Sequence, residues 1–290
     1  MANLRAIRSR IKSVENTRQI TKSMKMVAAA KLRKTQNAFT ALRRYAELSG
    51  DMLAQASGGA VPNSDNPYLK PHPENRRVCY VLLTGNRGLC GTYNQALLRY
   101  CENLIREDSR ESSLICCGRW GKDLIRAAGL SVSDTVEISD TPARDEAITL
   151  AEKLKQIYRD GEADEVILVY QNYRSVLAQT PGHKSLLPLS FEEVSGDADA
   201  DVIFDPDRES LVNALLDMYI GNTVHAALLE ARTGEHSARM TAMTAAADNT
   251  EELINDLTLE LNHARQAAIT TEITEIASGA EALRNSKAGG

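Results

Sequence analysis

The chain has 290 residues, 34 Lys+Arg against 39 Asp+Glu, a formal net charge of -5, 43% apolar residues and 4% aromatic ones. These proportions exclude a disordered, collagenous or disulfide-stapled chain and leave room for one large or two small domains. Aromatic rings normally supply much of a core's buried area, so their scarcity implies that part of the chain lies outside a compact core.

The modest net charge hides an asymmetry. Residues 1–44 hold twelve basic residues and one acid, Glu15, whereas residues 211–283 hold three basic residues and eleven acids. No stretch approaches the roughly 18 apolar residues of a membrane span, and the N-terminus lacks the apolar centre of a secretory signal. The basic start superficially resembles an organelle transit peptide, but its helical pattern runs past residue 50 with no cleavage-like break. The cysteines Cys79, Cys90, Cys101, Cys116 and Cys117 form no CxxC and have no His at ligand spacing, so they read as buried thiols of a reducing compartment.

Residues 3–57 contain no Pro, and their one Gly is Gly50. Leu4, Ile7, Ile11 and Val14 step by three and four; after a slip come Ile20, Met24 and Val27, then Leu32, Thr35, Phe39, Leu42, Ala46 and Leu53. This a/d rhythm predicts a coiled-coil helix over 1–57, about 80 Å long at 1.5 Å per residue. Breakers crowd residues 57–74 (SGGAVPNSDNPYLKPHPE). From there the pattern changes to alternating apolar strands and amphipathic helices. Strands fall on 78–84, 114–117, 132–138 and 165–170, and helices on 93–106, 120–128 and 142–158. Residues 76–190 are therefore expected to form one small α/β domain with a parallel sheet covered on both faces.

An acidic connection over 190–208 leads into a second Pro-free helix, 209–286, expected to pair with 1–57. Its seam runs through Met240, Met243, Ala247, Ile254, Leu257, Leu261, Ala264 and Ala268, with a second register at Ile269, Ile273, Ile276, Ala280 and Leu283. Neither helix fits within a globule of this mass, so both must find partners, and opposite charge with matching seams makes each the other's. The fold class is α/β, with a long antiparallel coiled coil of the two terminal helices.

Catalytic chemistry finds little support. In GNRGLCG, Gly85, Gly88 and Gly91 sit between a strand and a helix, but the spacing is GxxGxxG and the next strand does not end in a ribose-binding acid. A dinucleotide-binding α/β protein with a coiled-coil appendage stays as the alternative reading. His72, His183, His225, His236 and His263 are scattered, and no metal, cofactor or catalytic group is indicated. The basic N-terminal helix could meet nucleic acid, but Phe39 and Tyr45 are its only rings, too few for stacking, so no nucleic-acid partner is expected.

Three motifs carry a family resemblance. IRSRIKSVENTRQITKSMKMVAAAKLRKTQ (7–36), NRGLCGTYN (86–94) and EHSARMTAMTAAADNTEELINDLTLELNHARQAAITTEITEIASGAEAL (235–283) closely resemble the gamma subunit of the F-type ATP synthase, as do VYQNYRS (169–175) and the following Pro181. The resemblance spans the whole chain in order and looks bacterial. It implies a non-catalytic rotor shaft standing in a ring of three alpha and three beta subunits, its foot, a Rossmann-like α/β domain over 76–190, resting on the membrane c-ring and against the epsilon subunit. Ion-driven rotation of the shaft would then cycle the conformations of the beta catalytic sites, and the chain would sit at the cell membrane, peripheral on the cytoplasmic side.

By the same resemblance Met24, Arg239, Gln266, Thr270 and Glu272 match positions that contact beta. Lys22, Lys25, Lys31, Arg33 and Lys34 form a charge run able to complement acidic beta levers, and Phe204 and Asp205 match positions near the rotor ring. The sequence departs from the family pattern at Asn86, where Asp is usual, and at Thr92, where Gly is usual. Gly234 stands inside the long helix at a cost of about 1 kcal/mol relative to Ala, which suggests a bend or weak point.

Overall fold

The computed structural model describes residues 2–57, 66–189 and 207–288, with side chains over 4–56, 66–189 and 207–280. Phe204 and Asp205, and most of the acidic connection, lie outside the described residues. The chain divides into two compact units: Met1–Met26 with Ala242–Gly290, and Val27–Thr241. Two helices belong to both, α1 (Ala2–Ser57) and α5 (Arg208–Ala288).

The larger unit is built on a five-stranded sheet. Its elements are β1 (Arg77–Leu83), α2 (Tyr93–Glu107), β2 (Glu111–Cys117), α3 (Arg119–Ala127), β3 (Asp134–Val136), α4 (Arg144–Arg159), β4 (Glu165–Tyr173) and β5 (Gln179–Leu187). The strand order is β3-β2-β1-β4-β5. The first four strands are parallel, as the alternation of strand and helix requires. The sheet is nevertheless mixed: β5 returns antiparallel along β4, with Pro181 opposite Gln171. The wholly parallel sheet expected from sequence needs that correction. The QTPGHKSLL stretch carries a Pro and a Gly that read as breakers, and an edge strand tolerates both.

Both faces of β1 are buried, and successive residues serve opposite cores. Cys79, Val81 and Leu83 face a core completed by α4 (Leu150, Leu154, Tyr158), by Leu53 of α1 and by Leu216, Ile220 and Val224 of α5. Val78, Tyr80 and Leu82 face a second core closed by Leu97 and Cys101 of α2 and Ile125 of α3. The terminal helices are thus part of the sheet's own covering. All five cysteines are free and buried. Burial pushes the Cys79 thiol up to about 11 and that of Cys101 up to about 12, far from the reactive thiolate form.

Within this unit α1 and α5 pack antiparallel: Arg208 Nε donates to the carbonyl of Ala56 at 2.7 Å, and Tyr45 lies beside Met218. The seam of α1 here runs through Ala28, Leu32, Thr35, Phe39, Leu42, Ala46, Ser49, Leu53 and Ala56, all buried or half-buried and spaced by four and three, with Ala54 buried beside it. Gly234 sits in uninterrupted helix, not at a break. A Cβ there would come 3.3 Å from the Tyr93 ring, so close approach of α2 accounts for the glycine.

The smaller unit repeats the seam. On α1 it follows Leu4, Ile7, Ile11, Val14, Arg18, Thr21 and Lys25; on α5 it follows Met243, Ala247, Thr250, Ile254, Leu257, Leu261, Ala264 and Ala268. The slip anticipated near residue 20 is absent. Arg18, Thr21 and Lys25 hold the seam positions, leaving Ile20 and Val27 more than half exposed. Polar side chains with long or small bodies can line a two-helix seam while their heads reach water, which hid the register from a reading based on apolar residues.

Arg18 stands 3.9 Å from Glu251, which places the start of α1 at Ala2 level with Ala267. Past Ala268 every side chain to Ala280 is exposed. The second register expected at Ile269, Ile273 and Ile276 is therefore not a buried seam: these residues are exposed and lie past the level of Ala2, where α1 begins.

Candidate functional site

In an open sheet of this winding a ligand would lie at the carboxyl end of β1, where the strand order reverses. Here α5 itself fills that crevice. The Tyr93 hydroxyl, at the start of α2, donates to the carbonyl of Ala231 at 2.7 Å, and the next two turns of α5 bring Arg232, Glu235 and Arg239 against the GNRGLCG turn and His236 against Asp140. These four side chains are all buried.

Arg232 uses its whole fork. Nε donates to Ser139 O at 3.0 Å, Nη1 to Thr84 O at 3.0 Å and to Glu235 Oε2 at 2.7 Å, and Nη2 to Ile138 O at 2.9 Å and Asn86 Oδ1 at 3.1 Å. Those five bonds exhaust the donors of a guanidinium. Arg239 grips the turn from the other side, donating to Arg87 O at 3.0 Å, Gly88 O at 3.3 Å and Glu235 Oε1 at 2.6 Å. Glu235, 1% exposed, is held between two cations. Burial alone would raise its pKa, but the charges of Arg232 and Arg239 outweigh that and hold it below the usual carboxylate range.

His236 completes the joint. Its Nε2 lies 3.1 Å from Asp140 O, an acceptor, and its Nδ1 lies 3.3 Å from Arg239 Nη1, a donor. Only the neutral ring with hydrogen on Nε2 satisfies both, and burial lowers the pKa in the same sense. Asn86 fits this surrounding as an amide: Nδ2 donates to Ile138 O at 2.7 Å and to Asp140 Oδ1 at 3.2 Å while Oδ1 accepts from Arg232. Asp140 in turn pairs with Lys31 of α1 and lies 4.0 Å from Arg87.

The residues singled out from sequence fall into two groups. Lys22, Arg33, Lys34, Gln266, Thr270 and Glu272 are exposed, and Met24 and Lys25 are half-buried at the α1 seam. Arg239 and Lys31 instead turn toward this chain's own residues, the former 8% exposed. Arg232, Glu235, His236 and Asp140 went unrecognised. The signal was available in the spacing of 232, 235 and 239, which stacks both cations on the acid along one helix face, but such a run usually reads as a solvated face.

A doubly wound sheet whose carboxyl-end crevice is filled by buried ion pairs from a terminal helix defines a class: a helix-anchoring α/β module. The family model described as ATP synthase matches residues 3–283. The ATP synthase gamma chain of Desulfitobacterium hafniense is 42% identical over 284 residues, covering 98% of this chain and 100% of that protein. The ATP synthase gamma chain of Moorella thermoacetica is 41% identical over 285 residues, with the same coverage. Among solved structures, a chain of the Euglena gracilis mitochondrial ATP synthase (OSCP/F1/c-ring, rotational state 3) superposes with a TM-score of 0.72 at 20% identity, covering 100% of this chain and 97% of that one. This chain belongs to the ATP synthase gamma chain family.

Proposed function

We infer that the chain is the central rotor shaft of an ATP synthase, a non-catalytic subunit that couples ion-driven rotation of a membrane ring to conformational cycling of three beta catalytic sites. The observation that carries this reading is the continuity of α1 and α5, each of which belongs to both compact units without a helix break. A shaft must transmit torque, and unbroken helices fixed by buried ion pairs at the sheet resist slipping where load enters. A dinucleotide would compete for the crevice with Arg232 and Glu235, which weighs against the binding-protein alternative.

Its partners are three alpha and three beta subunits, the epsilon subunit and the membrane c-ring. The exposed Ile269, Ile273 and Ile276 stripe suits an apolar sleeve formed by alpha and beta subunits. Met24, Gln266, Thr270 and Glu272 are assigned to beta contacts, and Lys22, Lys25, Arg33 and Lys34 to its acidic levers. Arg239 and Lys31 act inside the chain, and Phe204 and Asp205 belong to the rotor-ring end. No helix among the described residues is long and apolar enough to cross a membrane; attachment at the cytoplasmic face of the cell membrane runs through the complex. Each beta subunit meets a different face of an asymmetric shaft, and only such differential contact energy can shift three identical sites apart.

Reconstitution tests the reading. Alpha and beta subunits mixed with the chain should assemble and hydrolyse ATP, in a ratio of three to three to one. Neither assembly nor activity on its addition would overturn it.

A further inference from the structure

The segment 138–142 touches both terminal helices in chemically different ways. Its carbonyls face α5: Ile138 and Ser139 accept from Arg232, Asp140 from His236 at 3.1 Å, and Pro142 O lies 3.1 Å from His225 Nε2. Its foot is tied to α4, since Glu146 accepts from the Ser139 hydroxyl at 2.7 Å and from the Ser139 backbone at 2.9 Å. Its one carboxylate faces the other way, where Asp140 Oδ2 meets Lys31 of α1.

The neighbouring contacts of α1 differ in kind. Ala28, Leu32 and Phe39 are buried apolar side chains, and apolar burial opposes separation while remaining non-directional. It does little to stop one helix sliding or rolling on another. A charge-assisted hydrogen bond fixes both distance and angle.

We propose that Asp140 is a positioning residue of the rotor: its backbone is fixed to α5 and its side chain pins Lys31, so that α1 and α5 turn with the sheet as one body. The proposal rests on the rotor reading and adds the residue that keeps the shaft from slipping at its root. Two nearby groups reinforce the pin. Asn86 Nδ2 donates to Asp140 Oδ1, and the Arg87 guanidinium stands close to Oδ2.

The Lys31 and Asp140 side chains are 34% and 26% exposed, and the fold rests chiefly on the apolar cores around the sheet and the buried Arg232–Glu235–Arg239 group, so removal of the pair should leave a folded chain. Stability and coupling therefore separate. The test uses the full synthase in membrane vesicles, comparing wild type with Lys31→Gln, Lys31→Arg, Asp140→Asn and the Lys31→Gln/Asp140→Asn double variant. Two quantities are read: ATP hydrolysis with the ion gradient collapsed, and ion pumping per ATP as the gradient builds.

Lys31→Gln and Asp140→Asn should keep gradient-free hydrolysis within about twofold of wild type while pumping per ATP under load falls about threefold or more. The double variant should be no worse than either single change, and Lys31→Arg should retain most of the coupling. Unchanged pumping per ATP in both single variants, or losses that simply add, would overturn the proposal. A wild-type chain that supports neither assembly nor hydrolysis would instead overturn the rotor reading. Should Asp140→Asn fail to assemble, Lys31→Gln on the helix surface still decides.

Discussion

Gly85 and Glu235 occupy adjoining space that leaves no room for a side-chain carbon: a Cβ on Gly85 would lie 2.9 Å from Glu235 Cδ and 3.0 Å from Oε1. The carboxylate cannot swing aside, because each oxygen is held by a different arginine. Gly85→Ala should therefore destabilise the chain by about 1–3 kcal/mol, the range for forced overpacking. Chemical denaturation of the purified chain would measure this, and a wild-type midpoint would contradict it.

Neutralising Glu235 should cost more. Glu235→Gln leaves Arg232 and Arg239 as buried guanidiniums with no counter-charge, a situation worth about 3–5 kcal/mol in destabilisation. The Arg43–Glu47 pair on α1 is an internal control: both side chains are more than half exposed, and Arg43→Gln should change stability by less than about 0.5 kcal/mol. Parallel urea curves on the two variants make the comparison.

Stability should fall with acid in two stages. His236 is buried neutral with a lowered pKa, so its contribution is complete above the unfolded value near 6.5 and declines as pH drops below it. Asp108 is held down to about 2, chiefly by hydrogen bonds from Arg110, with Tyr80 adding another. Asp140 is also depressed: burial opposes its ionisation, but hydrogen bonds from Lys31 and Asn86 outweigh burial. Glu235 follows the same pattern with its two arginines. For groups depressed in the folded state, stability is full above about pH 4.5 and is lost as pH falls toward 2. Melting temperatures recorded from pH 8 to 2 should show a shallow decline below about 6.5 and a steep one below about 4.5. Asp108→Asn should flatten the lower limb.

The heptad seam shows why some features were readable and others were not. The α5 seam was legible from Met243 to Ala268 because its residues are apolar or small and keep strict spacing. On α1 the same rhythm passes through Arg18, Thr21 and Lys25, and composition pointed instead to Ile20 and Val27, which face away. The α/β alternation was legible because buried parallel strands read as continuous apolar runs. β5 was not, since its buried residues are Gly182, Leu186 and Leu187 alone and its Pro and Gly mimic a loop. The joint at Arg232, Glu235 and Asp140 was least legible of all. The spacing of Arg232, Glu235 and Arg239 by itself reads as a solvated helix face, and only the fold brings the Ser139 and Asp140 carbonyls, more than ninety residues away, beside α5.

Asn86 suits a site that already holds the Asp140 carboxylate. Asn86→Asp would remove the donor to Ile138 O and set two carboxylates about as close as the present 3.2 Å bond to Asp140 Oδ1. The nearby Arg232 softens the repulsion, so a loss of about 1–2 kcal/mol is expected. Adding Asp140→Asn to Asn86→Asp should recover part of that loss, because the exchanged pair again has one carboxylate and one amide. A double-mutant cycle by thermal unfolding would show the coupling, and strict additivity would contradict it.

Ile269, Ile273 and Ile276 are 47%, 61% and 72% exposed, and they recur at four- and three-residue steps past the level of Ala2, where α1 begins. Apolar side chains in that arrangement form one continuous stripe on a helix. They add nothing to the chain's own core, so changing all three to Gln should leave its melting temperature within about 2 °C of wild type. In the assembled complex the stripe is expected to be covered by alpha and beta subunits. Burying three isoleucines contributes on the order of a few kcal/mol, so the triple variant should bind the alpha and beta ring at least about tenfold more weakly. Titration of the ring with labelled wild-type and triple-variant chains measures the ratio. Equal affinities would show that the stripe lies free of the sleeve, whereas a fall in melting temperature of the isolated chain would return these residues to an internal seam.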